Sequence, residues 1–134
     1  MNDNLDIKEW IRFAQMDYDA AKKMAGTHRP IPLEIVCYHC QQSVEKILKA
    51  FVIAKVGTLT KTHDLVFLLN QCKRISSVFN MPNFDKVCTT LTTYASFSRY
   101  PSNLEIDETQ MNLALKYAHE ILEFTKLQLA ESTQ

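Results

Sequence analysis

Glycine is scarce in this chain, two residues in 134, and proline is limited to four. With so little punctuation there is no material for a Gly-rich phosphate cradle, and neither a P-loop nor a Gly-x-Ser-x-Gly nucleophile turn is present. The same scarcity predicts long elements, helices rather than many short strands. No apolar run reaches the roughly 18 residues of a membrane span. The best candidate, residues 36–54, is interrupted by Glu45, Lys46 and Lys49. The opening MNDNLDIKEW has no basic leader and no apolar core, so no secretory signal is expected. Cysteine is limited to Cys37, Cys40, Cys72 and Cys88, all inside apolar periodic segments. They read as reduced, buried thiols, which points to the cytoplasm.

What is present is apolar bulk at helical spacing. At 46% hydrophobic and 22% charged residues, the chain has the composition of one globular domain. That domain is expected to span 1–134, with its core over about 6–130 and a polar tail at 131–134. Net charge is zero, but residues 44–101 carry eight basic against three acidic side chains, whereas residues 102–134 carry two basic against six acidic. A basic middle attracts phosphate-bearing ligands, although mixed charge on helix faces also serves solvation alone.

Four main helices and one short helix are predicted. Asp6 with Glu9 caps a first helix through Trp10, Ala14, Tyr18 and Ala21, ended by Gly26. Pro32 opens a second that stops at Gly57. Its apolar stripe is Val36, Cys37, Cys40, Val44, Ile47, Leu48 and Phe51, and beside it runs a polar stripe of Gln42, Glu45, Lys46 and Lys49. Thr62 is the expected N-cap of a third helix, with Asp64 in its first turn. Asn83 begins the short helix, and Asp107 with Gln110 begins the last. Short connections predict an all-α, up-down antiparallel four-helix bundle with one additional short helix. Leu33, Phe51, Phe67, Phe79, Phe97 and Phe124 supply more apolar bulk than one such core needs, so a homodimer is expected.

Several segments together resemble one family. HCQQSVEKILKAF, then TKTHDL, then YASFSRYP, following an early helix with Trp10 and Asp17, are similar to HEPN domains, the higher eukaryote and prokaryote nucleotide-binding family. The resemblance covers about Trp10 to Leu122. It implies a four- or five-helix bundle, commonly a homodimer, often encoded beside a minimal nucleotidyltransferase in systems that look like toxin–antitoxin pairs. Many members are metal-independent ribonucleases that use an Arg followed, after four to six residues, by a His. Arg99 stands where that arginine is expected, but Leu104, Glu105 and Ile106 occupy the eligible histidine positions.

Arg99 binds phosphate well and is a poor base, so the local pair lacks its proton-transfer half. A binding module therefore accounts for the residues better than an enzyme. Arg99 and Tyr100 are expected to meet phosphate and base, with Lys61, His63 and Lys49 adding charge and hydrogen bonds. Gln42, Glu45, Lys46 and Asp64 are expected to form a structural or interface network, Glu45 reaching Arg99 or Lys61. The alternatives are a ribonuclease that combines Arg99 with a distant histidine such as His119, and a homodimeric subunit with no small ligand. Cys37, His39, Cys40 and His63 make only a weak zinc pattern, because Cys37 and Cys40 share the apolar face; no metal and no cofactor are expected. Expected partners are a second copy, a nucleotidyltransferase, and a nucleotide or RNA.

Overall fold

The computed structural model describes residues 7–95 and 106–131. Five α-helices are present among them: α1 (Ile7–Thr27), α2 (Leu33–Val56), α3 (Leu65–Ile75), α4 (Phe84–Thr92) and α5 (Glu108–Glu131), with a 3-10 turn at Ser77–Phe79. The all-α bundle expected from the periodicity is the architecture found.

Helix α2 is its axis, touching α1, α3, α4 and α5. All seven residues of its apolar stripe are buried, and so are Ala50, Val52 and Ile53 on its other sides. Antiparallel pairing with α1 follows from the contacts: Trp10 meets Lys49, Ala14 meets Ser43, and Asp17 meets His39. Small side chains at Ala14, Ala21 and Ser43 let the two backbones approach, and the Ser43 hydroxyl donates to the Ala14 carbonyl at 2.8 Å. Lys126 donates to Gln15 and His119 stacks on Tyr18, so α5 also runs antiparallel to α1.

Helix ends partly depart from the sequence reading. Gly57 stops α2 in the left-handed conformation (φ 87°), its N–H closing on the Ile53 carbonyl, which only glycine adopts freely. Gly26, by contrast, does not end α1, which continues through Thr27, where the Thr27 hydroxyl caps the Lys23 carbonyl. Asp64, not Thr62, is the N-cap of α3: its carboxylate accepts from the Val66 and Phe67 amides, while the Thr62 hydroxyl accepts from the Asp64 amide. A carboxylate outcompetes a hydroxyl for amide donors one turn from the positive end of the helix. Asn83 precedes α4 without capping it; its amide donates instead to Glu120. Asp107 and Gln110 form the expected reciprocal cap of α5. Asp6 lies outside the described residues.

Much of the apolar surplus is absorbed within one chain. Phe51, Phe79, Phe124 and Phe84 form a continuous aromatic cluster with centroids 4.7, 5.3 and 5.1 Å apart. The four cysteines are buried free thiols, and burial pushes Cys37, Cys72 and Cys88 up to about 12. No helix among the described residues is long and apolar enough to cross a membrane.

Candidate functional site

The polar stripe of α2 is largely an interior feature. Glu45 and Lys49 are only 4% and 6% exposed, and Gln41 is fully buried. One Glu45 oxygen accepts from Gln41 Nε2 at 2.9 Å, and the other accepts from Lys49 Nζ at 2.9 Å. His63 Nδ1 lies 3.1 and 3.2 Å from the two oxygens. Gln42 extends the chain by donating to Gln41 Oε1. Burial by itself raises the Glu45 pKa, but the hydrogen bonds from Lys49, Gln41 and His63 and the Lys49 charge outweigh it and hold the carboxyl below its ordinary value.

A second group of the same composition lies on the flank of α2 that meets α1. Asp17 receives His39 Nδ1 on one oxygen and Lys46 Nζ on the other. Each group pairs one carboxylate with one lysine and one histidine, and each anchors its imidazole through Nδ1. Lys46 and Arg12 both approach the exposed ring of Phe13, and Lys49 lies 5.9 Å from the Trp10 ring.

The loop between α2 and α3 folds back along α2, which brings His63 to Glu45. It is held at two points: Gln41 donates to the His63 carbonyl, and the Thr92 hydroxyl at the end of α4 donates to that carbonyl and accepts from the Leu65 amide. The His63 ring remains 65% exposed, with Lys61 exposed two residues before it. Because Asp64 occupies the Val66 and Phe67 amides, the start of α3 offers an anion less than a bare helix terminus does.

The structure therefore joins His63, Glu45, Lys49 and Gln41 and places Lys61 on the same loop. Glu45 meets His63; of the two partners expected for it, Lys61 makes no contact with it among the described residues and Arg99 lies outside them, and Lys49 is committed to Glu45. Lys46 and Gln42 belong to the polar network, with Lys46 tied to Asp17. Asp64 acts as a cap. His119 is exposed and stacks on Tyr18 at 5.4 Å, on the side of α1 that meets α5; no contact among the described residues joins it to His63. Tyr94, one of the aromatics expected near Arg99, is a buried core residue beside Cys37. Arg99, Tyr100 and Phe97 lie outside the described residues, as do the sequence positions 104 and 105; they follow α4, whose last turn holds the His63 loop.

The residues of the weak zinc pattern diverge: Cys37 and Cys40 face the core, His39 turns to Asp17 and His63 to Glu45. Among the described residues no group of three or more His, Cys, Asp or Glu side chains is placed to hold a metal ion. A surface cavity of about 340 Å³ lies near the C-terminal end of α2, lined by Phe51, Lys55, Ile75, Ser76, Gln128 and Glu131. None of the sequence-predicted site residues lines it.

Thr92 has no place in the sequence reading, and Asp17, Gln41 and His39 enter it only through the family resemblance or the weak zinc pattern, not as members of these networks. Two of them carry a usable signal. Asp17 continues the Trp10, Ala14, Ala21 register, and Gln41 continues the Cys37, Val44, Leu48 register; a polar group in an apolar register needs a buried partner.

Comparison with known proteins agrees with this architecture. The family model described as HEPN domain matches residues 7–128. The protein TT1696 from Thermus thermophilus superposes with a TM-score of 0.76 at 22% identity, over 94% of this chain and 98% of that one. ST0689, described as an archaeal HEPN homologue, superposes with a TM-score of 0.70 at 22% identity, over 91% of this chain and 96% of that one. At such identity the two structures speak to the fold alone. A search of curated proteins gives no match. With the family model spanning nearly all of the bundle, this chain belongs to the HEPN domain family.

Proposed function

We propose that this HEPN-family chain is a binding module for a nucleotide or RNA, working as a homodimer and beside a nucleotidyltransferase partner in a toxin–antitoxin-like or nucleotide-associated system. The observation that carries this reading is the His63 imidazole: exposed itself, yet anchored by a buried carboxylate whose charge is balanced by Lys49. A rigidly held imidazole beside the exposed Lys61 suits a phosphate–ribose ligand, since little ordering remains to be done on binding. For Arg99 and Tyr100, which lie outside the described residues, the proposed roles are binding phosphate and stacking on a base. Lys49 acts from behind, holding Glu45, while Gln42 and Lys46 stiffen the neighbouring flank. Exposed Phe13, Met16 and Ile35 on α1 and α2 support association with a second copy.

Thermal-shift measurements against nucleotides and short RNAs test the module. A ligand at 100 times its dissociation constant adds about 2.7 kcal/mol of stability. A positive shift that His63→Asn with Lys61→Ala removes is the expected result. Silence across nucleotides and RNAs contradicts the module and favours a purely structural subunit.

A further inference from the structure

His63 has two ring nitrogens, and the structure assigns them different duties. Both Glu45 oxygens lie within 3.2 Å of Nδ1. The Glu45 side chain is 5% exposed and already accepts from Lys49 and Gln41. Ionised, it can only accept, so the proton between Glu45 and His63 belongs to Nδ1. Nε2 is then left as the nitrogen that meets whatever binds at the exposed edge of the ring.

We propose that Glu45 is a positioning residue that fixes the His63 tautomer and makes Nε2 a two-state reader of a nucleotide-type ligand. In the neutral ring Nε2 has only a lone pair and accepts from a donor, a ribose hydroxyl or a base amine. Once the ring takes a second proton, Nε2–H donates to a phosphate oxygen in a charge-assisted bond. The ligand class rests on the functional reading above; the tautomer does not.

Among the described residues, the groups around the ring leave this switch intact. Glu45 and Lys49 of α2 face it as a pair that cancels, with Gln41 neutral beside them. On its own loop Lys61 favours phosphate, whereas Asp64 opposes it but spends its carboxylate on the α3 amides. From α4 comes the neutral Thr92 hydroxyl, and from α1 the Trp10 ring lying against Lys49.

Two measurements test the proposal separately. Imidazole ¹⁵N NMR of the ligand-free protein is expected to show neutral His63 protonated on Nδ1 and bare on Nε2. The neutral wild-type ring protonated on Nε2 overturns the proposal whatever binds. Glu45→Gln is expected to weaken the Nδ1 preference, and because that variant is also expected to be less stable, the wild-type spectrum carries the assignment.

Calorimetric titration then compares a dinucleoside monophosphate, whose diester does not titrate between pH 5.5 and 8, with adenosine. That range is about the window in which histidine side chains in general change charge. The diester is expected to bind more tightly as pH falls, by at most about tenfold per pH unit, the slope of one linked proton. Adenosine is expected to gain nothing, and His63→Asn, which removes an exposed ring, is expected to flatten the diester profile. A diester affinity independent of pH, or a slope unchanged in His63→Asn, overturns the reader role. If no diester binds at any pH while the Nδ1 tautomer is observed, the nucleotide reading of the site fails and the reader role with it, but Glu45's hold on the ring stands.

Discussion

Glu45 holds a charge at a place where water has been removed, and it does so because three donors converge on it. Such a pair adds little net stability over apolar packing, yet removing one partner is costly because the other is left buried and uncompensated. Glu45→Gln is therefore expected to lower unfolding free energy by about 3–5 kcal/mol in urea titrations at neutral pH, as Lys49 loses its anion. An unchanged urea midpoint contradicts this. The pH dependence has a definite sign. The folded carboxyl titrates below the reference value of 4.5, so its contribution is complete above the unfolded value and is lost as pH falls through the folded one. Wild-type stability is expected to drop on that acid limb more steeply than that of Glu45→Gln. At this scale the sequence was half legible. The i, i+4 spacing of Glu45 and Lys49 predicts their pairing. Burial of that pair, and its closure by His63 from 18 residues on, depend on a loop path that spacing does not encode.

The helices are more legible than their ends. Every apolar position of the α2 stripe lands in the core, because period and burial are one constraint. Caps are competitions between neighbouring groups, and there the outcome depends on geometry: Asp64 displaces Thr62, and Asn83 spends its amide on Glu120. The two glycines separate the cases cleanly. Gly57 has φ 87°, and a Cβ there meets nothing within 4 Å, so Gly57→Ala is expected to cost about 1 kcal/mol through backbone strain alone. Gly26 lies inside α1 with open space around it, and Gly26→Ala is expected to stabilise by about 0.5–1 kcal/mol. Thermal unfolding of both variants checks the pair. A stabilising Gly57→Ala, or a destabilising Gly26→Ala, contradicts these end geometries.

For the whole molecule, bulk alone misleads. The phenylalanine surplus that suggests a second copy is largely spent on the Phe51–Phe79–Phe124–Phe84 cluster of one chain. Support for a dimer comes instead from Phe13, Met16 and Ile35, each more than 40% exposed. Light scattering after size exclusion is expected to give twice the 15.5 kDa chain mass, reduced by Phe13→Glu; a monomer at micromolar concentration contradicts it. The family was legible because its motif residues build the polar interior: Gln41, Glu45, Lys49 and His63 are one connected network, although Gln41 and His63 stand 22 residues apart. The ligand was less so, since no histidine follows Arg99 at the four-to-six-residue spacing of the family's Arg–His pair. The most direct test is fluorescence anisotropy of a short labelled single-stranded RNA against the wild type and the Lys61→Ala, His63→Asn double variant. Saturable wild-type binding, weakened about tenfold or more in the variant, is the expected result, the loss corresponding to about 1.4 kcal/mol or more. Equal affinity for both proteins, or none for either, contradicts a ligand site built on His63.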